Sequence, residues 1–112
     1  MKKPTEKQLL DLFNHIKSDK LTIILDKIAS EEAIKTENGV FHFNTSNKWQ
    51  VGVFVDCGKF DYIDYIQHGG THINHAKLVK YYPRVIEYSL EFRNPELAKK
   101  VWGIEAKRYA GT

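Results

Sequence analysis

Reactive side chains are concentrated near the middle of the chain, where Asp56, Cys57, Asp61 and Asp64 lie close together. Two carboxylates that face each other across a pair of strands repel, which favours a bound cation or raises the pKa of one partner. Cys57 has no local nucleophile signature around it, and a lone cysteine is typical of a small packing residue. We therefore expect no catalytic residue in this cluster.

The pairing of the two strands that carry these residues decides which carboxylates meet. A two-residue turn at Gly58-Lys59 would place Asp56 opposite Asp61. A three-residue turn, Cys57-Gly58-Lys59, would instead pair apolar side chains, Val53 with Ile63 and Val51 with Tyr65. Because apolar pairs stabilise a sheet better than like charges do, we expect the second register. Asp56 would then cap the turn, and Asp61 would bond to the backbone or to Lys59.

Three histidines form a second cluster with the spacing H-x3-H-x2-H: His68, His72 and His75. On one continuous helix they would share a face and could bind a metal ion, but Gly69-Gly70 interrupts such a helix. Two of them could still converge with carboxylates, and a metal-dependent hydrolase would then use Asp56, Asp61, His68 and His72. Solvated loop histidines are the simpler interpretation, and we expect no cofactor.

Tyrosines and basic residues recur through the second half of the chain. Tyr, Trp and Arg are enriched where proteins bind other proteins, and the same rings can stack on bases. A packed sheet also uses such rings, with tyrosine hydroxyls reaching water. We predict a binding surface formed by Tyr62, Tyr65, Lys77, Lys80, Tyr81 and Arg84.

Two apolar stripes at helical spacing precede this region. Thr5 and Gln8 have the spacing of a capping box, and they predict a helix from about Glu6 to Lys17 with an apolar face. Ser18 and Asp19 end that helix. A second, shorter stripe predicts another helix to about Ala29, carrying Leu21, Ile24, Leu25 and Ile28 on one face.

Extended runs separated by turn residues follow. Asn38-Gly39 is typical of a two-residue hairpin turn, which predicts strands at Ala33–Thr36 and Val40–Asn44. Thr45–Lys48 is rich in turn residues and leads to a central hairpin, Trp49–Asp56 with Phe60–Ile66, whose apolar residues alternate along the first strand.

The last third of the chain combines a strand with helices. The glycine pair ends the hairpin, and Thr71–Ile73 is expected to add an edge strand. Asn74 can cap a helix from His75 to Tyr82 that Pro83 ends. The run from Arg84 to Phe92 fits both periodicities, Asn94-Pro95 predicts a final helix ending near Gly103, and 105–112 is expected to be a mobile tail.

Together these elements predict an α+β fold. We expect a four- or five-stranded antiparallel meander with N-terminal and C-terminal helices packed on one face. The 112 residues predict a single domain.

Composition restricts the class of protein. The net charge of +3 is too small to indicate nucleic-acid binding. One cysteine allows no internal disulfide and no cysteine-based zinc cluster, which favours a reducing compartment. The chain has neither the apolar core of a signal peptide nor a run long enough to span a bilayer. We therefore expect a cytoplasmic protein with no membrane partner.

The central hairpin, from Trp49 to Tyr62, resembles a motif of small bacterial and phage-type domains of unassigned activity. In those domains a Trp-led strand ends in an Asp-Cys turn that an Asp-Tyr strand follows, as in Asp56-Cys57 and Asp61-Tyr62 here. Where that pattern has Asn before Asp-Cys, this chain has Val55. The resemblance implies the hairpin and carries no activity with it.

The function expected from these observations is non-catalytic binding to a protein partner, as in an immunity, antitoxin or phage anti-defence type inhibitor. One alternative is a small-ligand or nucleotide binder that uses Lys77, Lys80 and Arg84 with stacking tyrosines. The second alternative is the metal-dependent hydrolase described above. A homodimer is compatible with all three.

Overall fold

The computed structural model describes residues 3–57 and 59–88. Its elements are α1 (Glu6–Lys17), β1 (Ile23–Leu25), α2 (Glu31–Thr36), β2 (Gly39–Thr45), β3 (Trp49–Asp56), β4 (Lys59–His68), β5 (Thr71–Asn74), α3 (His75–Tyr81) and α4 (Pro83–Ile86). The five strands form one sheet in sequence order, and every neighbouring pair is antiparallel. The predicted α+β fold with an antiparallel meander is confirmed.

The first helix begins and ends where the sequence predicts. The Gln8 amide donates to Thr5 Oγ1 at 3.1 Å, and the Thr5 amide donates to Gln8 Oε1 at 2.8 Å. This reciprocal capping box satisfies two amides that the first turn leaves without a partner. Its apolar stripe is fully buried and consists of Leu9, Leu12, Phe13 and Ile16.

The core lies on one face of the sheet. Alternate residues of the strands are buried there: Phe41, Phe43, Val51, Val53, Val55, Ile63, Ile66 and Ile73. The stripe of α1 joins the same cluster, together with Leu78 of α3 and Val85 of α4. Each such side chain contributes about 1.5–3 kcal/mol of burial free energy, so this layer fixes which face of the sheet the helices cover. In the part of the chain that the structure describes, no helix has the length and apolar character to cross a membrane.

The prediction of a second helix up to Ala29 is wrong. Ile23–Leu25 is a short edge strand that pairs with Phe43–Thr45, and a turn follows it. Two residues of the supposed apolar face are in solvent, since Ile24 is 64% exposed and Ile28 is 88% exposed. The β-branched pair Ile23-Ile24 favours an extended backbone, and pairing with β2 determines the outcome.

The predicted hairpin at Asn38-Gly39 is also wrong. Residues 33–36 belong to the helix α2, and Glu37 ends that helix in the left-handed region at φ 60°. The Asn38 side chain then accepts a hydrogen bond from the Cys57 amide at 2.9 Å, which ties this loop to the β3–β4 turn. Gly39 begins β2 at φ 119°, a conformation that a side chain would strain.

The central hairpin is confirmed, and its register combines regular pairing with two irregularities. Asp56 pairs with Lys59, so two residues connect the strands rather than the expected three. Val53 faces Ile63 as predicted, but Val51 faces Ile66 instead of Tyr65. The register shifts once between Val55 and Phe54 and once between Val53 and Gly52, which leaves Asp61 and Asp64 as extra residues on β4.

The elements after the hairpin agree with the sequence. β5 occupies Thr71–Asn74, and Asn74 Oδ1 accepts the Lys77 amide at 3.0 Å to cap α3. Pro83 begins α4, which includes the first part of the ambiguous run. The predicted helix from Asn94 to Gly103 and the tail 105–112 lie outside the described residues.

Candidate binding surface

The second face of the sheet carries mostly rings and amide side chains. Strand alternation brings its residues into three rows: Val40, Phe54 and Tyr62; His42, Gly52, Tyr65 and Asn74; Asn44, Gln50, Gln67 and His72. We name the ring-bearing part of this surface the aromatic face and define it as His42, Phe54, Tyr62, Tyr65, His72 and His75.

Tyr65 is the centre of the aromatic face. Its ring lies over Gly52 on the neighbouring strand, where a Cβ would be 2.0 Å from Tyr65 Cε1. The ring of His72 is stacked against it with centroids 5.0 Å apart, and the His42 ring is tilted at 5.6 Å. Only 6% of Tyr65 is exposed, so the ring is held flat against the sheet.

The Tyr65 hydroxyl is fixed as firmly as its ring. Its oxygen lies 2.6 Å from Nδ1 of His42. Burial raises the pKa of Tyr65 to about 12, and the carboxylates of Asp64 and Asp26 add to the shift. The hydroxyl therefore stays protonated at neutral pH and can donate to the imidazole.

The backbone of His42 is positioned by the connection between β1 and α2. The His42 amide donates to the hydroxyl of the fully buried Ser30 at 2.8 Å, and its carbonyl accepts from the Asp26 amide at 2.8 Å. These two bonds satisfy the amide and carbonyl of His42 on the edge of β2, past the point where β1 ends. They hold the His42 ring where it meets Tyr65.

Tyr62 lies at the other end of the aromatic face, between two rings. Phe54 is stacked against it at 5.0 Å, and His75 is tilted against it at 4.2 Å. His75 is held by its Nδ1, 3.1 Å from the carbonyl oxygen of Ile63. Burial raises the pKa of Tyr62, and the carboxylates of Asp64, Asp61 and Asp56 raise it further, in that order. This end of the face is therefore both aromatic and acidic.

The candidate metal ligands do not come together. His68 pairs with Thr71 and stacks on Trp49 at 4.4 Å, whereas His72 pairs with Gln67, so the two histidines belong to opposite faces of the hairpin. Asp56 pairs with Lys59 and not with Asp61. Within residues 3–57 and 59–88 there is no group of three or more His, Cys, Asp or Glu side chains placed to hold a metal ion. The arrangement that the hydrolase alternative requires is absent from this part of the chain.

The six residues of the predicted binding surface separate into two places. Tyr62 and Tyr65 belong to the aromatic face, whereas the others lie on α3 and α4. We name that second surface the basic patch and define it as Lys3, Lys77, Lys80, Tyr81 and Arg84. The helix α3 joins the two surfaces, because its first residue, His75, contacts Tyr62 and its last residue, Tyr81, contacts Lys3.

Several members of the aromatic face were missed from the sequence. The alternation that buries Phe41 and Phe43 places His42 on the opposite face, and the same argument applies to Phe54 between Val53 and Val55. Strand alternation in the sequence was therefore enough to place both rings on this face. The role of Gly52 could not be predicted from the sequence, because only the paired strands show the Tyr65 ring above it.

Comparison with known proteins gives no assignment: the chain matches no protein-family model, no curated protein and no solved structure at a significant level.

Proposed function

We propose that this domain is a non-catalytic binding protein that docks the aromatic face of its sheet against a protein partner. The observation that carries the proposal is the stacked pair of half-buried rings, Phe54 and Tyr62, which lies beside the buried Tyr65 ring on the face opposite to the core. Rings that are ordered before binding lose little conformational entropy when a partner covers them.

The surroundings of these rings support a protein as the partner. Phe54 and Tyr62 are half-buried and stacked, which leaves apolar ring surface at the sheet face. Amide side chains follow in the next row, where Gln50 donates to Asn44 Oδ1 at 3.3 Å and Gln67 meets His72 at 2.8 Å. An aromatic centre with a hydrogen-bonding margin is the usual composition of a protein–protein interface.

The nucleotide alternative has less support. It needs cations beside the stacking tyrosines, because phosphates carry negative charge. The charged groups that act on Tyr62 are instead the carboxylates of Asp56, Asp61 and Asp64. These would repel a phosphate, so we do not propose nucleotide binding at this face.

The biological role that we propose is inhibition of the partner by covering its surface, as an immunity, antitoxin or phage anti-defence protein does. Cys57 is exposed and is the only cysteine of the chain, which supports a protein that acts in a reducing compartment such as the cytoplasm.

A crosslinking experiment tests the proposal. A photoreactive phenylalanine at position 54 should capture a discrete partner in cells of the native host, whereas the same group at Lys7 on α1 should not. The captured protein is then purified and its affinity measured by calorimetry. Tyr62→Ala should weaken binding by about tenfold or more, because central aromatic residues contribute most to such interfaces. Equal capture at both positions, or equal affinity of Tyr62→Ala and the wild type, would contradict the proposal.

A further inference from the structure

The basic patch presents cations around one exposed ring. Tyr81 is 54% exposed, a high value for a tyrosine that ends a packed helix. Lys80 Nζ lies 5.2 Å from the centroid of the Tyr81 ring, and Lys3 Nζ lies 5.3 Å from the same centroid. Each ammonium group is attracted to the face of the ring, so the Tyr81 ring gathers two positive charges at one exposed place.

Among the described residues, the cations of the patch form no ion pairs. Elsewhere in the described residues, Lys7 pairs with Asp11 on α1, and Lys35 pairs with Glu31 on α2. Within residues 3–57 and 59–88, no carboxylate forms an ion pair with Lys3, Lys77, Lys80 or Arg84. A concentration of cations that form no ion pair creates a local positive potential that attracts an anion.

The backbone holds this patch in place. Asn74 caps α3 through the Lys77 amide, and the Tyr82 hydroxyl donates to the Pro4 carbonyl at 2.8 Å. The second bond ties the end of α3 to the segment that carries Lys3. Leu78, Tyr82 and Val85 anchor both short helices in the core. The cations therefore extend from a scaffold that is ordered before binding.

We propose that the basic patch is a second docking surface that takes an acidic segment of a partner protein, with carboxylates pairing with Lys3, Lys77 and Lys80 beside the Tyr81 ring. This surface is separate from the aromatic face, so the inference goes beyond the proposed function and can fail independently of it.

Charge complementarity selects a short acidic protein segment over a long polyanion. α3 has seven residues and is about 10 Å long, so the Tyr81 ring at its end lies roughly that far along the helix from His75 and the acidic end of the aromatic face. That distance is about one Debye length at physiological salt. A nucleic acid that extended past the patch would meet Asp56, Asp61 and Asp64, whereas a compact acidic segment need not.

The test uses a synthetic peptide of Asp, Glu and Ser residues, titrated into the whole chain at about 0.15 M salt. Amide NMR shifts should concentrate at residues 3–6 and 75–84. Lys77→Gln/Lys80→Gln should weaken binding by about tenfold, because two exposed ion pairs are lost. The control Lys20→Gln/Lys27→Gln removes the same charge from exposed positions outside the patch and should change affinity less than about twofold.

Further arms of the experiment separate the other occupants. Single-stranded DNA of equal charge and phosphatidylserine vesicles should bind more weakly than the peptide, and the chain should stay monomeric in sedimentation. Equal losses in the patch and control variants would overturn the proposal. So would tighter binding of DNA or vesicles, or self-association that Lys77→Gln/Lys80→Gln abolishes. The peptide titration does not use the photoreactive group at position 54, so its outcome stays distinct from any result at the aromatic face.

Discussion

The ring of Tyr65 occupies the space that a side chain at Gly52 would need. A Cβ at that position would lie 2.0 Å from Tyr65 Cε1 and 2.2 Å from Cδ1. The two residues face each other across β3 and β4, next to the irregularity at which Asp64 is the extra residue. Glycine on one strand and a flat ring on the next therefore act as one unit, on which the order of the aromatic face depends.

Replacing Gly52 tests that unit. Gly52→Ala should destabilise the protein by about 1–3 kcal/mol, because the ring cannot move without displacing His42 and His72. The free energy of unfolding in urea measures the effect. In a Tyr65→Ala background the same glycine substitution should cost far less, since its obstacle is gone. Additive losses in the double variant would show that the contact does not limit position 52.

The Tyr65 hydroxyl should make stability depend on pH in the alkaline range. Its pKa of about 12 in the folded state exceeds the ordinary value of 10.0, because burial disfavours the phenolate. The stability that the protonated Tyr65 hydroxyl contributes to the folded state is therefore complete below pH 10. It is lost as the pH rises from 10 through about 12.

Tyr65→Phe isolates this contribution. At neutral pH the variant should be less stable by about 1 kcal/mol, since it loses the hydrogen bond to His42. The difference between wild type and variant should shrink above pH 10, because phenylalanine does not ionise. Urea denaturation at a series of pH values checks this. A constant difference up to pH 12 would contradict the assigned pKa.

The sequence predicted the elements whose local signals agree with their tertiary contacts. α1 has a capping box and one apolar stripe in the sequence, and in the structure the capping box forms and the stripe is buried. β3 has valines at alternate positions, and all three, Val51, Val53 and Val55, are buried. The segments that failed have signals in conflict: Ile24 and Ile28 match a helical stripe by spacing alone, and both are exposed. Ile24 is extended because β1 pairs with β2, and Ile28 lies in the turn that follows β1. No local pattern encodes that pairing.

The candidate site shows the same division. Tyr62 and Tyr65 were predicted as binding residues, and both lie on the aromatic face. Their separation from the cations of α3 and α4 could not be predicted, because it depends on which way α3 leaves β5. The irregularities at Asp61 and Asp64 were equally hidden, since a bulge is a property of two paired strands.

Glu37 offers a prediction about stability that does not involve either surface. It ends α2 at φ 60°, in the left-handed region where a Cβ is costly and glycine is preferred. Glu37→Gly should therefore stabilise the protein by up to about 1 kcal/mol. Glu32→Gly, inside the same helix, serves as the matched control and should destabilise it by a similar amount. Thermal unfolding compares the two, and a loss of stability in both would count against the assigned helix end.

Asp64 separates the two causes of the tyrosine pKa shifts. Its carboxylate is the largest charge contribution for both Tyr62 and Tyr65, although burial ranks first for each. Asp64→Asn removes the charge and keeps the shape, so the pKa of each tyrosine should fall toward 10.0 without reaching it. Ultraviolet absorbance of tyrosinate measures this titration, with Asp11→Asn on α1 as the control. An unchanged titration would show that Asp64 is turned away from both rings, and the acidic character assigned to that end of the aromatic face would have to be withdrawn.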